Sequence, residues 1–203
     1  MLNKKAIVLL SGGLDSATTL YIAKREGFKC HCLIFDYGQR HRREIEAAKK
    51  IAKKSGCAYQ IIKINLPWGG SALLNKKIKL RSAHRPSPGI IPATYVPGRN
   101  IIFLSFALSF AESIGARAIF IGAHAQDYSG YPDCRPEFYA AFKKVISTGT
   151  KAGVEDKGIA IKTPLIHKTK ADIIRLGNKL GVPFKLTWSC YKGGNKPCGR
   201  CDS

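Results

Sequence analysis

The sequence predicts an α/β fold, an open, mainly parallel twisted sheet with helices on both faces. Short apolar runs alternate with helical patterns along the chain, the rhythm of parallel strands joined by crossover helices. The first run, Ala6–Leu10, breaks into Ser11-Gly12-Gly13 and passes at once into a helical pattern. Residues 187–203 then hold Cys190, Cys198 and Cys201 among glycines, and add a C-terminal zinc-binding tail to the expected architecture.

The elements follow in order. Strand one is Lys4–Leu10, and the next helix, Leu14–Glu26, ends at Gly27, a residue suited to a left-handed helix terminus. Strand two, Lys29–Phe35, leads through Asp36-Tyr37-Gly38-Gln39 into a basic helix, His41–Lys54, and strand three is Ala58–Ile64. Asn65–Pro97 departs from the alternation, with Trp68, Pro86, Pro88, Pro92 and Pro97, and reads as an inserted lid or loop. Arg99–Ser113 is the most apolar helical stretch and is expected to be a central buried helix. Strand four, Ala118–Gly122, delivers the loop Ala123–Asp133 to the carboxyl end of the sheet, where such folds bind ligands. A helix over Glu137–Ser147, strand five at Ile159–Lys162, and a helix to Leu180 opened by a Thr169–Asp172 capping box complete the domain.

The 203 residues suit one domain with a small appendage, and 45% hydrophobic with 23% charged residues is the balance of a globular chain. No run reaches the roughly 18 apolar residues of a membrane span. The residues Met1–Lys5 and the five apolar residues after them are too short for a signal peptide, so the expected location is cytoplasmic. The net charge of +21 suggests a polyanionic partner such as RNA, or anionic nucleotide substrates, or a lysine-coated surface. The basic residues are spread along the chain, and no separate RNA-binding domain is visible.

A strand–glycine turn–helix junction aims backbone N–H groups and a helix N-terminus at one point, which makes an anion site. Ser11 and Ser16 add hydroxyls, and Asp15, which would repel a phosphate directly, makes sense when Mg²⁺ bridges the two. The loop is neither G-x-x-x-x-G-K-[ST] nor G-x-G-x-x-G. It resembles the pyrophosphate loop of the N-type ATP pyrophosphatases, and the expected ATP-binding residues are Leu9, Leu10, Ser11, Gly12, Gly13, Leu14, Asp15, Ser16, Ala17, Thr18 and Thr19. In the tail, Cys198-x-x-Cys201 sets two thiolates on a tetrahedral edge and Cys190 supplies a third Zn²⁺ ligand.

Other residues point to a substrate pocket. Arg99 and Asn100 follow a Pro-Gly turn and either clamp a carboxylate or nucleotide or cap the helix they begin. Asp127 either binds Mg²⁺ or a guanine-like edge or bonds its own loop, and Tyr37 and Tyr131 either stack on a heterocycle or pack in the core. Cys134 and His124 are further zinc-ligand candidates, while His84 and His167 read as surface or capping residues.

Taken together, Ser11–Ser16, Phe35–Gln39, Val96–Asn100, Gln126–Cys134, Thr163–Leu165, Thr187–Tyr191 and Cys198–Cys201 resemble, in order and over nearly the whole chain, the 7-cyano-7-deazaguanine synthase family of queuosine precursor biosynthesis. The resemblance implies an adenine nucleotide alpha hydrolase-like domain over 1–186, with 65–97 as the insertion, and a zinc tail over 187–203. It also implies an ATP-dependent ligase that takes 7-carboxy-7-deazaguanine and ammonia through an amide to the nitrile. Implied with it are catalytic roles for Asp15, Arg99 and Asp127, the cofactors ATP, Mg²⁺ and Zn²⁺, and a homodimer. The family's zinc site has four cysteines; the fourth would fall just past Ser203, so the chain is expected to be truncated there. Two readings compete: a tRNA base-thiolating enzyme on the same loop, and a basic zinc-knuckle nucleic-acid binder that would leave Asp15 without a role.

Overall fold

Side-chain alternation along the first strand dictates the layers. Ala6 and Val8 point to one face, Ile7 and Leu9 to the other, and all four are buried, so the strand needs cover on both sides. The structure, a computed structural model, describes residues 4–75, 77–78, 91–125, 130–191, 194 and 196–198. Its elements are β1 (Lys5–Leu9), α1 (Leu14–Arg25), β2 (Lys29–Asp36), α2 (Arg43–Lys54), β3 (Ala58–Lys63), α3 (Arg99–Ser113), β4 (Ala118–Phe120), α4 (Pro136–Gly149), α5 (Lys151–Val154), β5 (Ala160–Lys162) and α6 (Lys170–Lys179). Short 3-10 turns lie at Pro132–Cys134 and Phe184–Leu186.

The sheet order is β3-β2-β1-β4-β5, and every pairing is parallel. Val8 sits opposite Cys32 on one side and Phe120 on the other. On the Ala6–Val8 face, Leu20 and Ala23 of α1 and Ile45 and Ile51 of α2 close a core with Ile34 and Phe120. On the Ile7–Leu9 face, Leu104 and Ala107 of α3 and Phe142 and Ile146 of α4 close a second core with Ile119 and Ile161. Phe35 stacks on Phe103 with centroids 3.9 Å apart, joining β2 to α3.

Helix ends follow local chemistry. Gly27 takes φ +82°, and the Gly27 and Phe28 N–H groups close the end of α1 on Lys24 and Ala23. Thr169 and Asp172 form the expected capping box of α6. α2 starts at Arg43 rather than His41, and Arg40 just before it bonds the carbonyls of Ala72 and Ile78 instead. α4 opens at Pro136, whose missing N–H costs nothing at that position.

One expectation is corrected here. α3 is not buried all round: it buries Leu104, Ala107, Leu108 and Ala111 but leaves Ile101 48% and Phe106 42% exposed. A helix lying on one face of a sheet has an outer side whatever its composition. The described parts of 65–97 contain turns and no regular element, and Arg40 pins them, its N–H donating to Leu73 O at 2.9 Å and its guanidinium to Ala72 O at 3.3 Å. Among the described residues no helix is long and apolar enough to cross a membrane.

α6 is seated by a glycine. A Cβ on Gly177 would stand 2.2 Å from the Phe184 ring. Gly177→Ala is expected to destabilise the protein by about 1–3 kcal/mol, the range for overpacking. Combining it with Phe184→Leu should recover part of that loss, as measured by urea denaturation of the single and double variants.

Candidate functional site

The chain leaves β1 toward β2 and β3 on one side and toward β4 and β5 on the other. The crevice at the carboxyl ends of β1 and β4 is therefore the topological switch point, the usual ligand site of such sheets. Residues Leu10–Gly13 enter it from β1, and Gly122 reaches it just beyond β4. A Cβ on Gly122 would lie 3.1 Å from the backbone of Asp15 and Ser16, so glycine lets the two segments touch.

The loop is shaped by Gly12. Its φ is +87°, and a Cβ there would stand 2.2 Å from Glu44 O and 2.8 Å from Ala48 N, inside α2. Ser16 Oγ accepts the Ser11 N–H at 3.2 Å and donates to Gly13 O at 3.1 Å, bracing the turn from within. The Gly13 and Leu14 N–H groups point outward to hydroxyl oxygens, Ser11 Oγ and Ser189 Oγ, each at 3.4 Å. Such long, exchangeable contacts suit donors that can pass to phosphate oxygens at the start of a helix. Of the other expected ATP-binding residues, Leu9, Leu10, Ala17, Thr18 and Thr19 have buried side chains, which leaves their backbone as the part that can face a nucleotide.

Asp15 gathers a charge cluster across the crevice. Its Oδ2 accepts from Lys170 Nζ at 2.8 Å and lies 3.7 Å from His124 Nε2. Its Oδ1 is buried with no hydrogen-bond partner among the described residues. A buried carboxylate oxygen left over after an ion pair is a suitable hard ligand for a divalent cation beside phosphates. Lys170 is the first residue of α6, 155 positions from Asp15, and nothing in the local sequence marks it. His124, weighed from sequence as a zinc ligand, faces Asp15 instead.

A second polar group forms around Arg99. In the β2–α2 turn, Gln39 Oε1 accepts the Tyr37 N–H at 2.8 Å and Gln39 Nε2 donates to Phe35 O at 3.1 Å, which fixes Tyr37. Burial holds the Tyr37 phenol above its usual range, and the nearby Arg99 guanidinium opposes this. Burial works against the Arg99 charge, but Tyr37, Tyr191, Cys134 and Asp133 around it outweigh burial and keep it firmly cationic. Asn100 is a tether: its N–H donates to Asp133 Oδ2 at 2.9 Å, and its amide to Asp133 O at 3.0 Å and Cys134 Sγ at 3.1 Å. Tyr131 bonds Thr94 at 2.7 Å. Glu44 also belongs to this group, and burial pushes its carboxyl up to about 7 while Arg99 pulls it down. Beside them, Tyr37, Gly38, Asn65, Leu66, Leu74 and Asn75 line a cleft of about 360 Å³. Asp127 and His84 lie outside the described residues, and His167 is exposed.

The tail closes the site from the other side. Trp188 N donates to Gly12 O at 2.9 Å, the Trp188 ring lies 4.9 Å from the Arg43 guanidinium, and its Nε1 donates to Cys190 O at 2.9 Å. Burial lowers the His41 pKa, and the backbone carbonyls of Cys190 and Tyr191 facing it oppose that.

The zinc expectation is corrected at this point. Among the described residues no group of three or more His, Cys, Asp or Glu side chains could hold a metal ion. Cys190 is buried, its Sγ accepting the Cys198 N–H at 3.3 Å, and Cys201 lies outside the described residues. The fold is therefore described without a zinc-binding tail, and no chemistry is assigned to Zn²⁺.

Glu44 makes a measurable prediction. Its carboxyl holds a proton in the folded protein up to about pH 7, whereas the unfolded chain loses it near 4.5. This contribution to stability therefore falls as pH rises through that window. Glu44→Gln is expected to be more stable than wild type above pH 7, on the order of 1–3 kcal/mol, with no difference below about pH 4.5. Denaturant melts at pH 4 and pH 8 check it.

Known proteins share this fold and sequence. The fold resembles NMN synthetase from Francisella tularensis, with a TM-score of 0.55 at 15% identity over 97% of this chain and 70% of that one. A 7-cyano-7-deazaguanine synthase from Trichodesmium erythraeum is 54% identical over 204 residues, covering 98% of this chain and 91% of that protein. One from Thermosynechococcus vestitus is 56% identical over 205 residues, covering 98% and 88%. Residues 5–203 match the family described as queuosine biosynthesis protein QueC, and the chain belongs to that family.

Proposed function

We propose that the protein is an ATP-dependent carbon–nitrogen ligase that converts 7-carboxy-7-deazaguanine and ammonia to 7-cyano-7-deazaguanine, as the names of its relatives indicate for them. The observation that carries the mechanism is the pyrophosphate loop braced against α2, with Asp15 Oδ1 buried at its mouth and without a hydrogen-bond partner among the described residues.

A carboxylate is a poor electrophile, and adenylation gives it a leaving group. A substrate carboxylate oxygen attacks the α-phosphorus of ATP, and pyrophosphate departs into the loop. There the Gly13 and Leu14 N–H groups and the N-terminus of α1 accept its charge, with the Lys170 ammonium beside them. Ammonia attacks the acyl carbon and AMP leaves, giving the amide. The amide oxygen is adenylated by a second ATP, and loss of AMP and a proton leaves the nitrile. Mg²⁺, held by Asp15 Oδ1, would neutralise charge on the phosphates when bound. Lys170 orients Asp15 and adds positive charge at the loop mouth. Arg99, a cation among tyrosines, takes the substrate carboxylate, and Tyr37 and Tyr131 flank the heterocycle. The apolar outer side of α3, with Ile101 and Phe106, supports a homodimer, and dependence on ATP supports a cytoplasmic setting.

The test is turnover with Mg²⁺-ATP, ammonium and 7-carboxy-7-deazaguanine, reading AMP, pyrophosphate and product mass. AMP formed only with the carboxylate, together with the nitrile mass, is the expected result; no AMP, or AMP only when tRNA is added, would overturn the reading. Asp15→Asn and Lys170→Met should each lower kcat by about 10²-fold or more while the circular dichroism spectrum stays native, the scale of losing a group that stabilises transition-state charge.

A further inference from the structure

The hydroxyls around the pyrophosphate loop are not equally committed. Ser11 Oγ donates to Ser16 Oγ at 3.0 Å, and Ser16 Oγ donates to Gly13 O at 3.1 Å, so the loop's own two hydroxyl hydrogens are used inside it. A third hydroxyl, Ser189 Oγ, stands over the same turn from 175 residues away in sequence. It accepts the Leu14 N–H at 3.4 Å, and a Cβ on Gly13 would lie 3.4 Å from it, so it covers both of the outward-pointing N–H groups. Among the described residues the Ser189 hydroxyl donates to no acceptor.

The tail fixes this hydroxyl from both sides. Before it, Thr187 bonds Phe184 O through its N–H at 3.0 Å and its hydroxyl at 2.7 Å, and Trp188 N donates to Gly12 O at 2.9 Å. After it, Cys190 is buried and its carbonyl accepts the Trp188 indole N–H at 2.9 Å. Ser189 between them stays half-buried. The Trp188–Gly12 bond already fastens the tail to the loop, so the long Ser189 contact adds little to docking. A hydroxyl accepts and donates at once. Ser189 can therefore release the Leu14 N–H to an anion and give its own hydrogen to the same anion, and such a bond to a charged oxygen is about twice as strong as a neutral one. Resting on the ligase reading above, we infer that Ser189 is a pyrophosphate-binding residue: its hydroxyl donates to the group that leaves the α-phosphorus, and the tail completes the anion site begun by the Gly13 and Leu14 N–H groups.

The experiment measures the binding of inorganic pyrophosphate with Mg²⁺, and separately of AMP, by titration calorimetry on the full chain, in wild type and Ser189→Ala. Loss of a hydrogen bond to a charged group should raise the Kd for pyrophosphate about tenfold or more. The Kd for AMP, which has no phosphate to place in the loop, should stay within about threefold, and the urea midpoint should stay that of wild type. AMP binding thus reports on the fold of the variant independently of the pyrophosphate result. Equal pyrophosphate affinity in the two proteins overturns the assignment. An equal loss for AMP also overturns it, because Ser189 would then be a structural pin of the tail. If wild type itself binds no pyrophosphate, the ligase reading fails at the loop and this inference with it; binding by wild type that the variant matches sinks Ser189 alone.

Discussion

The contact on which the rest depends is the close approach of Gly12 to α2. A hydrogen is all that fits between the loop and the carbonyl of Glu44, and the backbone turns there with φ +87°. This one approach sets the curvature of the pyrophosphate loop and directs the Gly13 and Leu14 N–H groups outward. It also brings the first turn of α2, with Glu44, to the edge of the crevice. The Gly12 carbonyl accepts from Trp188, so the tail is docked by the same residue. Gly122 repeats the device from β4, where its missing Cβ admits Asp15.

Around this backbone frame the charges fall into two groups with different work. Asp15, Lys170 and His124 lie together at the loop mouth, where the proposed mechanism puts phosphate charge. Arg99, Tyr37 and Glu44 form the second group, and Tyr37 lines the neighbouring cleft. The division matches a ligase that must present an acid to the α-phosphorus while catching the departing pyrophosphate. Asn100, bonded to Asp133 and Cys134, keeps the start of α3 fixed to the segment after β4, so the two groups hold a constant relation.

Much of this was legible in the sequence, for local reasons. Ser-Gly-Gly-x-Asp-Ser between an apolar run and a helical pattern specifies a turn and the residues in it. Gly27 and the Thr169–Asp172 box mark helix ends because capping is a matter of a few neighbouring atoms. What escaped depends on distance in sequence. Lys170 meets Asp15 across 155 residues, and Trp188 meets Gly12 only once the tail folds back. The outer side of α3 could not be read from composition, because an apolar helix on a sheet still has a face that the sheet does not cover. The zinc expectation rested on cysteine spacing, which fixes two thiols on one turn but not the further ligands that must converge on them.

The claim at the centre is that the loop splits ATP between its α and β phosphates so that a substrate oxygen leaves on AMP. Supplying 7-carboxy-7-deazaguanine labelled with oxygen-18 in both carboxylate oxygens, and weighing the AMP formed, tests it directly. The account predicts one heavy oxygen on each AMP, with the two oxygens of the acid leaving in the two adenylations and pyrophosphate unlabelled. Unlabelled AMP, or label in a phosphate released with ADP, would contradict it.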